Sequence, residues 1–147
     1  MKVVIQRSKK SSVSVSEKLI NKIDKGLCIL VGITPDDTDE DIAYLVKKIV
    51  NLRIFDDEDG IMNKSILESG GEILLISQFT LMADTSKGNR PSYIGAAKGD
   101  VAKPLYEKML NTLNNHVKTY GGVFGAEMLV NIENDGPITI IIDSKNK

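Results

Sequence analysis

Glu72-Ile73-Leu74-Leu75-Ile76-Ser77-Gln78-Phe79-Thr80-Leu81 is the stretch on which the chain turns, because an apolar run that follows the Gly70-Gly71 break ends abruptly in hydrogen-bonding side chains. A continuous apolar segment of this length, bounded by glycine, predicts a strand buried on both faces. Carrying the two-residue strand period to its end places Ser77, Phe79 and Leu81 on one side and Gln78 and Thr80 on the other. Buried polar atoms need partners, so hydroxyls and an amide around an aromatic at a strand rim offer a ligand somewhere to bind. An ordinary strand end rich in Ser and Thr is the other reading of these residues.

Before this strand, Lys2 to Arg7 and Ser11 to Val15 read as two strands joined by a hairpin, the second with Val13 and Val15 alternating against serines. Leu19, Ile20 and Ile23 form a weaker edge segment, and Gly26 opens a core strand over Leu27 to Ile33. Thr38 with Asp41 three residues on reads as an N-cap pair. Ile42, Leu45, Val46, Ile49 and Val50 follow at helical spacing, with acidic residues in the first turn and lysines later, as the helix dipole favours. Arg53-Ile54-Phe55 is a short strand candidate running into Asp56-Asp57-Glu58-Asp59-Gly60. That acidic run is not a calcium loop: with Gly60 at the sixth position, Phe55 and Ile66 would fall at the first and twelfth ligand positions.

After the central stretch and the Met82 to Pro91 loop, a second helix is expected from about Asp100 to Tyr120, with Pro104 in its first turns and Gly121-Gly122 as its stop. Its buried side would carry Leu105, Met109, Leu113 and Val117. Two closing strands are expected, Glu127 to Ile132 and Ile138 to Ile142, joined by an Asn134 to Pro137 turn. This order of elements predicts an α+β protein in which helices cover mainly antiparallel sheet.

The length of 147 residues suits a single domain over 1–147. Apolar runs are too short to span a membrane, and no signal-peptide core opens the chain, so a cytoplasmic setting without membrane contact is expected. The net charge of −1 and pI of about 5.9 argue against a large basic face coating duplex nucleic acid. Local nucleic-acid contact remains open through Lys87, Arg90 and Lys98, with Lys103 beyond them; an ordinary solvated loop is the alternative. The single cysteine, Cys28, sits in an apolar run and reads as a core thiol.

Phosphate-binding glycine loops, zinc spacings and flavin or nicotinamide signatures are absent, so neither a cofactor nor a metal is expected. The only histidine, His116, lies near the end of the second predicted helix, and Ser77 and Thr80 therefore have no evident base to activate them.

Ser77-Gln78-Phe79-Thr80-Leu81 and Asn134-Asp135-Gly136-Pro137-Ile138-Thr139 together resemble the paired signatures of the D-aminoacyl-tRNA deacylases. The likeness extends from Val3-Val4-Ile5-Gln6-Arg7 through Asp59-Gly60 and Met62-Asn63 to the last strand. It implies a barrel-like or rolled β-sheet with two principal helices packed outside, assembled as a homodimer. The implied substrate is the 3′ acceptor end of D-aminoacyl-tRNA, whose labile ester requires position, water and oxyanion donors more than a strong nucleophile.

On this resemblance, backbone N–H groups of Phe79 and Thr80 face the scissile carbonyl, with Ser77 and Gln78 beside them and Thr80 as nucleophile or water orienter. Phe79 would pack near the terminal adenosine; a core aromatic is its other reading. Gly136-Pro137 would be cis and would enter the active site of the other subunit, a backbone wall that admits hydrogen but not an L side chain. Glycyl-tRNA would then escape exclusion. Asn134 belongs to the same motif, and Arg7 would hold the Gly-Pro carbonyls; a strand-end surface arginine is its alternative. The competing functions are a non-catalytic tRNA- or DNA-binding module and an editing domain for a mischarged L-amino acid.

Overall fold

One strand, β1 (Lys2–Val15), runs through the region expected to hold a hairpin. The reason lies in its middle: Arg7-Ser8-Lys9-Lys10-Ser11 contains none of the glycine, proline or Asx residues that a tight turn requires. Instead Ser8 and Ser11 are buried and satisfy each other, Ser11 Oγ donating to Ser8 Oγ at 2.7 Å.

β2 (Lys18–Ile23) and β3 (Gly26–Gly32) follow, both antiparallel to β1. Helix α1 (Asp39–Asn51) starts with the expected capping box, in which Thr38 and Asp41 satisfy each other's backbone N–H groups. A small ribbon of β4 (Phe55–Asp56) and β5 (Met62–Lys64) and a single turn, α2 (Ile66–Ser69), lead to β6 (Glu72–Ser77). Helix α3 (Gly99–Asn114) precedes β7 (Thr119–Gly121) and the closing strand β8 (Leu129–Asp143). The coordinates form a computed structural model that describes residues 1–147.

α3 ends six residues earlier than the glycine pair suggested. Asn114 stops it: its side chain exchanges hydrogen bonds with the backbone of Thr119, Nδ2 to O at 3.0 Å and N to Oδ1 at 2.8 Å, and pulls the chain into β7. Val117 is buried as expected, but in the connection beyond the helix.

The sheet runs β2-β1-β3-β6-β7, with β8 also paired to β1, and curls into a nearly closed barrel-like layer. Antiparallel pairing around β1 predominates, as expected, and the sheet is mixed because β3, β6 and β7 are parallel neighbours. α1 and α3 lie in the crossovers that return the chain to the same end. The apolar strands are buried on both faces, as their unbroken runs require. Ile5, Ile29 and Leu75 face α1 and α3 in the larger core cluster, whereas Cys28, Leu74 and Ile76 pack inside the curl. Burial pushes the Cys28 thiol up to about 12, so it is a packing group without thiolate character.

β8 is a further departure from the expected pattern. Asn134 to Pro137 is not a hairpin turn, since residues on both sides pair with the same strand: Thr139 to Asp143 with Gln6 to Lys2, and Leu129 to Ile132 with Ser14 to Ser11. Between the pairs Gln6–Thr139 and Ser8–Asn134, the four residues Asp135 to Ile138 lie opposite Arg7 alone. The turn-forming sequence builds a bulge.

Candidate active site

β6 stops at Ser77, and the N–H of Gln78 still donates to Val31 O at 2.8 Å. The backbone then coils into a 3₁₀ turn over Phe79–Met82, so the alternation expected as far as Leu81 ends at the strand's last residue. Gly32, where β3 ends, makes the turn possible. A Cβ there would come within 2.7 Å of Met82 Cε and 3.0 Å of Leu81 Cβ.

The turn changes what the motif can do. The first N–H groups of a helical turn have no acceptor within it, and no side chain caps this one. The amides of Phe79 and Thr80 are such groups, on exposed residues. Phe79 is 55% exposed, which removes the core-aromatic reading, and its ring is held edge-on by Tyr93 at 5.0 Å and 75°.

A cleft of about 480 Å³ opens beside the turn. Ser77, Gln78 and Phe79 contribute to one wall, and Phe124, Glu127 and Met128 to another. Phe124 packs on Tyr106 with ring centroids 5.9 Å apart, and the Tyr106 hydroxyl donates to Leu75 O at 2.7 Å, tying the aromatic wall to β6. Burial raises the Tyr106 pKa, which keeps that donor protonated. Sequence reasoning missed the second wall because it lies in irregular chain between β7 and β8. Its one signal was an aromatic bracketed by Gly121-Gly122 and Gly125.

Gly136-Pro137 forms the exposed tip of the β8 bulge, and the peptide bond between them is cis. Gly136 adopts φ +118°, where a Cβ would also meet Ile138 Cγ1 at 2.7 Å. Asn134 staples the base: Nδ2 donates to Arg7 O and to Ile138 O, both at 3.0 Å, and Oδ1 accepts from Gln6 Nε2 and Thr139 Oγ1, both at 3.1 Å.

Arg7 is 8% exposed, not a surface arginine. Its Nη1 donates to Ile54 O at 2.8 Å and lies 3.5 Å from Asp56 Oδ1. Its Nε is 3.2 Å from Asp135 Oδ2 but poorly aligned, an ion-pair contact without a hydrogen bond. Within the chain the guanidinium therefore grips the flanks of the bulge, and the Gly136 and Pro137 carbonyls are not its partners.

The two motifs do not meet inside one chain. Arg7, opposite the bulge, pairs with Leu27, whereas Ser77 pairs with Val31. Four residues of strand separate these levels, about 13 Å. His116 is equally remote: it follows α3 just before Thr119, which pairs with Ile73, four residues from Ser77. No Ser-His pair forms. Lys98 is exposed and borders the cleft residues Ala97 and Gly99, whereas Lys87 and Arg90 lie on the exposed loop, outside the cleft wall.

Residues 4–143 match the family model described as D-Tyr-tRNA(Tyr) deacylase. The chain is 58% identical to the D-aminoacyl-tRNA deacylase of Bacteroides thetaiotaomicron and 55% identical to that of Parabacteroides distasonis, covering 100% of this chain and 99% of each relative. Among solved structures, the c-Myc DNA unwinding element binding protein superposes with a TM-score of 0.89 at 40% identity, covering 97% of this chain and 98% of that one. A family match across almost the whole length, together with relatives above half identity, establishes that the chain belongs to the D-Tyr-tRNA(Tyr) deacylase family of enzymes.

Proposed function

We propose that this chain hydrolyses the ester joining a D-amino acid to the 3′ end of tRNA, working as a pair of identical copies. The observation that carries the reading is the uncapped 3₁₀ turn at the mouth of the cleft. An aminoacyl ester seated with its carbonyl against the Phe79 and Thr80 amides gains donors where negative charge develops. The cleft, with its aromatic wall, has the size and character for the terminal nucleoside. Thr80, without a base beside it, orients the attacking water instead of attacking the ester itself.

Chiral selection falls to the Asp135 to Ile138 bulge. Its tip is too far from Ser77 to act in its own chain, so a second copy must present it. Backbone at that place excludes an L side chain by contact, while a D side chain points away and glycine has nothing to exclude; glycyl-tRNA is then a substrate. The rigid base that Asn134 provides makes such a wall effective, and this assigns Asn134 a positioning role.

The test is release of amino acid from D-tyrosyl-tRNA and L-tyrosyl-tRNA, with glycyl-tRNA alongside. Wild-type protein should release D-tyrosine and glycine and leave the L ester intact. In Asn134→Ala, discrimination between D and L should narrow by at least about tenfold, the loss of one or more well-placed hydrogen bonds. Equal release from both esters by wild type would reject the reading. A second function, nucleic-acid binding without turnover, is favoured by the likeness to the c-Myc DNA unwinding element binding protein, and binding with no release from any ester would establish it.

A further inference from the structure

Of the grooves outside the cleft, two carry cations in their walls, and their charges differ. One, between β1, β2 and β8, sets Lys10 and Lys22 against Asp24 and Glu133. The other, of about 540 Å³ along the last turns of α1, is lined by Tyr44, Lys47, Lys48, Asn51, Leu52 and Arg53 and has no carboxylate in its wall. None of its three cations is in an ion pair, and unlike Lys10 and Lys22 they share their groove with no carboxylate side chain.

Lys48 lies over the Tyr44 ring at 6.0 Å, and Lys147 over the same ring at 4.5 Å. The helix dipole accounts for a lysine in the last turn, but not for Arg53 beyond the helix or for the aromatic between the cations. Arg53 spends only Nε within the chain, on Asn63 O at 3.1 Å, leaving the outer face of its guanidinium for a ligand.

We infer that this α1 groove grips the phosphate backbone of an RNA strand, with Lys47, Lys48 and Arg53 on phosphates and the open edge of Tyr44 against the sugar. An unopposed set of cations next to an aromatic suits a polyanion with flat groups better than it suits a single small anion. The groove's position adds to this. Ile54, next to Arg53, accepts the hydrogen bond from Arg7 opposite the β8 bulge, so groove and bulge share one end of the molecule. The inference rests on the deacylase reading for the identity of the RNA: with the bulge presented to a second copy, the groove lies beside that copy's cleft, where a tRNA acceptor arm arrives.

The experiment compares wild type, Lys47→Gln/Lys48→Gln and Lys10→Gln/Lys22→Gln for binding of uncharged tRNA over a series of salt concentrations. Both variants lose the same net charge, and Lys47 and Lys48 are exposed without ion pairs. The α1 variant should bind about tenfold more weakly at ~0.1 M salt, and its slope of log affinity against log salt should fall by roughly 1.4 to 1.8 for two phosphate contacts. The Lys10/Lys22 variant should bind as wild type. Unchanged binding in the α1 variant, or equal weakening in both, would overturn the groove.

Hydrolysis separates this from the underlying reading. kcat/KM for D-tyrosyl-tRNA should fall with binding in the α1 variant, while hydrolysis of D-tyrosyl-adenosine, which has no phosphodiester, stays at the wild-type rate. Groove-dependent tRNA binding by a wild-type protein that releases no D-tyrosine would support the groove and sink the deacylase reading.

Discussion

Thr80 shows how little side-chain chemistry the site contains. Its side chain is exposed and forms no hydrogen bond, while its amide heads an uncapped turn. Thr80→Ala keeps the amide and removes the hydroxyl, so release of D-tyrosine should slow by no more than about tenfold, well short of the roughly 10²–10⁴-fold that loss of a general acid or base costs. Inactivity with an unchanged circular dichroism spectrum would return catalysis to the hydroxyl. Asp41 is the opposite case, a side chain that matters for stability. Burial opposes its ionisation, but hydrogen bonds from Ser144, the Thr38 amide and Lys145 outweigh burial and hold its pKa well below the usual carboxylate range. A depressed folded-state pKa gives stability that is present above about pH 4 and lost as pH falls below it. Asp41→Ala should cost about 1–3 kcal/mol at pH 7, and its unfolding midpoint should depend less on pH below about 4 than that of wild type.

At the scale of elements, the junction of β3 and β6 decides the site. Gly32→Ala would press a methyl on Met82 and Leu81 and tilt the 3₁₀ turn, so kcat for D-tyrosyl-tRNA should drop at least tenfold while the sheet stays folded. A wild-type kcat would show that the turn's placement is not critical. The same junction separates what was legible in the sequence from what was not. The buried runs Leu27 to Val31 and Ile73 to Ile76, and the Thr38 capping box with its apolar stripe, declare their structures locally. The turn after Ser77 depends on a glycine more than forty positions away, and the bulge of β8 depends on β1 continuing straight past it. Asn134-Asp135-Gly136-Pro137 carries turn residues in either case, so only the partner strand distinguishes a bulge from a hairpin. The second cleft wall, Phe124 to Met128, lies ahead of β8: the strand expected from Glu127 begins at Leu129, which leaves Glu127 and Met128 in irregular chain.

At the scale of the molecule, the motif that would select and the motif that would hydrolyse stand at different levels of one sheet. On the proposed reading, specificity therefore requires two copies. Dilution should reveal it: as enzyme concentration falls through the dissociation constant of the pair, followed by sedimentation, hydrolysis of D-tyrosyl-tRNA per chain should decline and any residual activity should lose its preference for D over L. A D preference unchanged across fully dissociated chains would place selection within the single copy.

The buried thiol of Cys28 offers a practical handle on that question. It is the chain's only cysteine, fully enclosed within the barrel and with its pKa pushed up to about 12, so maleimide or methanethiosulfonate reagents at neutral pH have no thiolate to reach. One cysteine introduced on the exposed loop, at Ser86 for instance, would take a spin label or fluorophore alone, without first stripping the native residue from the core. The distance between two such labels would then report directly on whether two copies pair and how they face each other.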